Sequence, residues 1–198
     1  METPPKNKSE QILEAALQLF AENGFHSAPM SRLAQMAGVG VGSIYRYFKD
    51  KNQLVHAVFE HVDQALTAML AASFDPDLSD RDQLIRMLTH LIYYLHSHPR
   101  EFRFLEQYYY SPYGLEKKRG KMLQENKKSL PDPLRKFFFG ELADSSVKKL
   151  PWPVYQALVF GPATFLVRDA LAGLITLNDE MVQSLARACW DALTIKEC

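Results

Sequence analysis

The sequence predicts an all-α protein with a small three-helix domain at its N-terminus and a larger helical domain after it. Apolar residues recur every three or four positions through most of the 198 residues, the period of a helix with one buried face. Glycine and proline fall between these periodic segments, where they end one helix or begin the next. Hydrophobic residues make up 47% of the chain and charged residues 23%, which is typical of a globular protein with a packed core. Together these observations predict about nine helices.

Three helices are predicted within the first fifty residues, at positions 9–23, 31–37 and 41–48. Gly38 separates the second from the third, as glycine does where a helix end needs a positive φ. In the third helix Ile44 and Phe48 are four residues apart and would face the core. A helix, a glycine-rich turn and a second short helix form the helix-turn-helix pattern, whose second helix can enter the major groove of DNA.

The same stretch resembles a known family. The residues that carry the resemblance are Leu33-Ala34, Ala37-Gly38-Val39, Gly42, Ile44-Tyr45, Tyr47-Phe48, Lys51 and Leu54. At this spacing they are similar to the signature of the TetR (tetracycline-repressor-like) family, over roughly residues 8–60. The resemblance implies a DNA-binding transcriptional regulator, a repressor that a small molecule releases from its operator. It also implies that the region after the motif binds this small-molecule effector.

The predicted DNA-binding residues lie between positions 31 and 51. They are Ser31, Arg32, Gly40, Val41, Gly42, Ser43, Tyr45, Arg46, Tyr47 and Lys51. Cationic side chains among them would neutralise phosphates, and Ser43, Tyr45 and Tyr47 would meet the major groove. The family often has Ser or Thr at the position of Gly40 and a polar or basic residue at that of Val41. An alternative therefore stays open, namely a helical small-molecule-binding protein or an enzyme that retains a non-functional motif.

The charge of the chain does not by itself indicate nucleic acid. Lysine plus arginine and aspartate plus glutamate both number 23, so the net charge is zero. The positive charge is concentrated locally, since Arg32, Arg46, Lys49 and Lys51 are opposed in their segment only by Asp50. A small basic surface on a neutral chain fits a protein that places one edge on DNA, with a dimer supplying two such edges.

The rest of the chain is predicted to be helical at positions 51–74, 81–97, 100–110, 115–126, 134–142, 153–174 and 179–194. We place a DNA-binding domain at 1–52 and an effector-binding and dimerisation domain at 53–198, with the long helix 51–74 joining them. The helix at 153–174 is apolar nearly all round, so it needs cover on both sides. We expect the last two helices to pair with those of a second copy in a homodimer. The alternative is a fully buried central helix within one monomer.

Aromatic residues are abundant in the second domain, and a helical bundle can use such residues to line a ligand cavity. The predicted lining residues are Tyr94, His96, Phe104, Tyr108, Phe165 and Arg168. Gln107 is a further candidate for a polar group facing the ligand. Plain core packing is the alternative for each of these residues.

Other classes of site are poorly supported by the sequence. His90, His96 and His98 lack the spacing of a metal site, and Cys189 and Cys198 suggest neither a metal nor a disulfide framework. The GVGVG run at residues 38–42 follows a helix rather than a strand, which argues against a dinucleotide site. We expect no cofactor and no enzymatic activity. The absence of an apolar leader or a long apolar run predicts a cytoplasmic protein without a membrane span.

Overall fold

A computed structural model describes residues 7–115, 148 and 150–195. These residues form eight α-helices: α1 (Lys8–Asn23), α2 (Met30–Met36), α3 (Val41–Tyr47), α4 (Lys51–Ala72), α5 (Asp80–Ser97), α6 (Pro99–Tyr109), α7 (Trp152–Leu171) and α8 (Asp179–Leu193). The predicted all-α class is confirmed, and each helix predicted in this part of the chain is present with its ends shifted by a few residues at most. Apart from residue 115, the predicted helices 115–126 and 134–142 lie outside the described residues.

The helices divide into two compact units. The first unit contains α1, α2, α3, α4 up to Ala65, and α6 from Arg100 onwards. The second unit contains α4 from Leu66, together with α5, α7 and α8. The chain therefore passes from one unit to the other within α4 and returns to the first unit at α6. The predicted domain boundary between residues 52 and 53 stays a prediction, because a domain is defined by independent folding and a compact unit by contacts.

The core of the first unit is built from the apolar faces of its helices. Its fully buried members include Ile12, Leu19 and Phe20 of α1, Leu33 of α2, Ile44 of α3, Leu54 and Val58 of α4, and Phe104 of α6. The Phe104 ring lies 6.4 Å from that of Phe20 and 5.6 Å from that of Phe25, measured between centroids. Helix α6 is thus packed into the core of the helix-turn-helix unit.

A polar contact adds to this packing. The Gln107 side-chain nitrogen donates a hydrogen bond to the Ala21 carbonyl oxygen at 3.1 Å, near the end of α1. The last carbonyls of a helix have no partner within the helix, so this amide satisfies one of them. The sequence suggested Gln107 as a polar group facing a ligand, and the structure shows that its side-chain nitrogen binds α1.

In the second unit α5, α7 and α8 pack against one another. Their buried side chains include Leu88 and Ile92 of α5, Val159, Ala163 and Val167 of α7, and Val182 and Ala186 of α8. Two side-chain hydrogen bonds join α8 to α5. The Tyr93 hydroxyl donates to the Asp179 carboxylate, and the Gln183 amide donates to the Thr89 hydroxyl at 3.2 Å. In the part of the chain that is described, no helix has the length and apolar character to span a membrane.

Candidate nucleic-acid interface

The turn between α2 and α3 is fixed by backbone hydrogen bonds around Gly38. The Gly38 amide donates to the Gln35 carbonyl at 3.2 Å, and the Val39 amide donates to the Ala34 carbonyl at 3.0 Å. This pair of bonds is a Schellman motif, which requires a left-handed residue just beyond the helix. Gly38 supplies that residue with φ +63°. The predicted helix-turn-helix, consisting of α2, the turn at residues 37–40 and α3, is confirmed.

Helix α3 has one buried side and one exposed side. Ile44 is completely buried and Phe48 is 7% exposed, so these two residues hold the helix against the unit as predicted. Tyr45 and Tyr47 are 48% and 46% exposed, although aromatic side chains usually lose more of their surface in a folded chain. Arg46 is exposed between them. The outer surface of α3 therefore combines large aromatic side chains with a guanidinium group, both of which suit contact with nucleic acid.

The structure brings the ten predicted DNA-binding residues together in the first unit, on α2, the turn, α3 and the start of α4. Ser43 and Lys51 are partly buried, and the others are exposed: Ser31, Arg32, Gly40, Val41, Gly42, Tyr45, Arg46 and Tyr47. Gly40 occupies the N-cap position of α3, where no side chain caps the helix. Their contact with DNA stays a prediction, and the arrangement supplies the surface that such contact would use.

Lys51 differs from the other cationic residues of this surface. Its ammonium group donates a hydrogen bond to the Ala28 carbonyl oxygen at 2.7 Å. Partial burial lowers the pKa of this amine, because removal from water disfavours its charged form. One of the three donors of the ammonium group is therefore committed to the chain itself.

The start of α4 is held by several further contacts. The Asp50 carboxylate accepts a hydrogen bond from the Gln53 amide at 2.8 Å, which caps the helix. The Tyr113 hydroxyl donates to the Asn52 side chain at 3.0 Å. The first contact closes the first turn of α4, and the second ties that turn to the segment that follows α6.

The sequence did not single out His56, which joins α4 to α6 within the first unit. Its Nδ1 lies 2.9 Å from the Tyr108 hydroxyl oxygen. Tyr108 is completely buried, and its ring stacks on Phe59 with centroids 4.1 Å apart. The residue type alone indicates that a buried tyrosine needs a hydrogen-bond partner. Which residue supplies it depends on packing between residues that are far apart in the chain.

The residues predicted to line a ligand pocket divide between the units. Phe104 and Tyr108 lie in the first unit, with ring centroids 6.0 Å apart in its core. The others lie in the second unit: Tyr94, His96, Phe165 and Arg168. Tyr94 stacks on His98 at 4.1 Å, and Phe165 is 60% exposed. A role for this set in ligand binding stays a prediction.

Comparison with known families decides the class of the chain. The sequence model of bacterial regulatory proteins of the tetR family matches residues 12–58, which hold most of α1, the helix-turn-helix and the start of α4. A second model, the tetracyclin repressor-like C-terminal domain, matches residues 81–194. The chain belongs to the TetR family. This confirms the resemblance predicted from the motif, and it extends the match to the C-terminal half.

Individual relatives are similar in part or over the whole chain. The fatty acid metabolism regulator protein of Bacillus subtilis is 43% identical over 53 residues, which are 27% of each chain. This chain matches between about a quarter and about half of the length of these curated relatives. A TetR family transcription regulator from Marinobacter aquaeolei has a solved structure that matches with a TM-score of 0.79 and 25% identity, covering 96% of both chains.

A further solved structure shares the fold. The transcriptional regulator FadR from Bacillus subtilis, in complex with stearoyl-CoA, matches with a TM-score of 0.65 and 21% identity, covering 93% of this chain and 97% of that one. These three relatives are all regulators.

Proposed function

We propose that this TetR-family chain is a transcriptional regulator that binds operator DNA as a homodimer and is released by a small molecule. The observation that carries the proposal is the outer surface of α3, where Tyr45, Arg46 and Tyr47 are exposed on a helix that Ile44 and Phe48 hold in place. Exposed aromatic and cationic residues on the second helix of a helix-turn-helix have a ready use in the major groove.

The dimer is proposed to form through α7 and α8. Helix α7 buries Val159, Ala163 and Val167 on one side, while Phe165 and Val154 are exposed on another. A large exposed phenylalanine on an otherwise apolar helix is costly in water, and a second copy of the same surface would cover it. Two copies would then present two α3 helices to one operator.

Release by an effector is the finer part of the proposal. FadR of Bacillus subtilis, which has the same fold, was solved with stearoyl-CoA bound. Helix α4 contributes residues to both units of this chain, so a ligand that displaces the second half of α4 would also bias its first half. Half-sites on DNA lie about 34 Å or a multiple apart, and a small change in the separation of two α3 helices would weaken binding.

An electrophoretic mobility shift on the DNA upstream of the chain's own gene tests the DNA-binding step. The expected result is a shifted band that competitor DNA of unrelated sequence does not remove. Absence of binding at low salt, with the dimer intact by light scattering, would exclude the regulator. The chain would then fit the alternative, a helical ligand-binding protein or enzyme with a non-functional motif. Titration of candidate effectors into the shifted complex tests release.

A further inference from the structure

Two glycines at the start of α3 are not required by the fold. Gly40 has φ −73° and ψ 150°, a conformation open to any residue. Among the described glycines, Gly24, Gly38 and Gly173 have a positive φ, and Gly42 does not. A Cβ atom added to Gly40 or Gly42 would meet nothing within 4 Å. The chain itself therefore leaves room for a side chain at both positions.

For Gly42 the absence of a side chain is also unfavourable to the fold. It lies inside α3, and glycine in a helix loses more backbone freedom on folding than alanine does. Alanine at this position would be accommodated without strain and would favour the helix. The reason for a glycine must then be sought outside the folded chain.

The position of Gly42 on the helix indicates where that reason lies. Each residue of an α-helix turns the chain by about 100°, so Gly42 and Arg46 each lie about 160° from Ile44. Ile44 is completely buried and marks the inward direction. Gly42 and Arg46 consequently form the outermost line of α3, one turn apart. Any surface that α3 approaches would meet this line first.

We infer that Gly42 is a specificity-determining residue of the DNA contact, where the bare backbone lets α3 enter the major groove deeply enough to read base edges. The inference rests on the proposed function, because the surface in question is that of operator DNA. The N-terminal residues of a recognition helix are the ones that reach base edges. A methyl group at position 42 would hold this end of the helix away from the bases, while phosphate contacts made by longer cationic side chains such as Arg32 could persist.

The test compares specific with non-specific binding. Duplexes of about 30 base pairs are selected from a random-sequence library with the wild-type protein, and one of them is scrambled to give a non-specific probe. Affinities for both probes are measured by fluorescence anisotropy for wild type, Gly42→Ala and the bulkier Gly42→Val. We expect Gly42→Ala to lose at least tenfold in affinity for the selected duplex and less than threefold for the scrambled one. Gly42→Val should lose more on the selected duplex.

A control separates this effect from a change in stability. Gln64→Ala lies at an exposed position of α4, about 20 Å along that helix from Lys51, and should change neither affinity. Thermal unfolding should show Gly42→Ala to be at least as stable as wild type. Wild-type affinity of Gly42→Ala for the selected duplex, or a lower unfolding temperature that accompanies its weaker binding, would overturn the inference. If the wild-type protein selects no duplex at all, the proposed function itself fails, which is a different result.

Discussion

The Lys51 ammonium group donates a hydrogen bond to the Ala28 carbonyl oxygen at 2.7 Å, which ties the first residue of α4 to the segment leading into α2. The sequence predicts that this lysine, as one of the cationic DNA-binding residues, neutralises a phosphate of the DNA. Its contact within the chain gives it a second use. The two uses differ in how binding depends on salt.

We predict that Lys51 acts mainly by positioning α4. Lys51→Met keeps the length of the side chain and removes the hydrogen bond, so it should lower the free energy of unfolding by about 1–2 kcal/mol. DNA affinity should fall, but the slope of log K against log salt concentration should stay as in wild type, because no counterion-releasing contact is lost. Arg32→Ala is the matched control, and its slope should flatten by about 0.9 for each protomer. Equal flattening in Lys51→Met would identify a phosphate contact instead.

The exposed residues of α3 give a second prediction. The double variant Arg46→Ala, Tyr47→Ala should bind operator DNA at least tenfold more weakly, since it removes a cation and a large contact surface from the predicted reading face. Because both side chains are exposed, its unfolding free energy should stay within about 1 kcal/mol of wild type. Mobility shifts and chemical denaturation measure the two quantities. Undiminished affinity would show that another face of the unit meets DNA.

The hydrogen bond between Tyr108 and His56 gives a third prediction. Tyr108→Phe leaves the stacked ring in place and removes the hydroxyl 2.9 Å from His56 Nδ1, which should cost about 1–2 kcal/mol of unfolding free energy. Tyr113→Phe is the control, because its hydroxyl bonds to Asn52 at the surface and water can replace it. That variant should cost less than about 0.5 kcal/mol. If urea denaturation shows that both variants lose the same unfolding free energy, burial does not decide how much these hydrogen bonds stabilise the protein.

A fourth prediction concerns the proposed dimer. Phe165→Glu adds a charge to an exposed position of α7, so a monomer should tolerate it, whereas a dimer interface would have to bury it. Sedimentation should show a shift from dimer to monomer, and DNA affinity should fall because two half-sites are no longer bound together. Gln64→Glu adds the same charge at an exposed position of α4, outside the proposed interface, and controls for a general charge effect. A dimeric Phe165→Glu protein would place the interface elsewhere.

The helices and the helix-turn-helix could be predicted from the sequence because their signals are local. The spacing of Ile44 and Phe48 identified the buried side of α3, and Gly38 marked the turn through a backbone angle that other residues adopt with difficulty. Both features are decided by residues within a few positions of one another. The cap of α4 is equally local, because the Asp50 carboxylate accepts its hydrogen bond from the backbone amide three residues further along the chain.

The contacts within the first unit that could not be predicted join residues distant in sequence. Gln107 donates to Ala21 across 86 positions, and His56 reaches Tyr108 across 52. No periodicity within one helix indicates which other helix will supply a partner. For Phe104 the sequence therefore left both a ligand cavity and core packing open, and the structure places its ring beside Phe20 and Phe25 in the core.

The return of the chain to the first unit at α6 has a practical consequence for engineering. A truncated protein ending after α4 would lack Phe104 and Gln107, so Phe20 would be uncovered and the Ala21 carbonyl would lose its partner. A chimera that joins this chain, up to the end of α4, to another regulator at a single junction would lose the same contacts to Phe20 and Ala21. A chimera that keeps the first unit and replaces the second needs three junctions, one within α4, one at the start of α6 and one after residue 115, or a compensating set of substitutions on α1. Each compact unit of this chain is therefore built from segments that are not consecutive in the sequence.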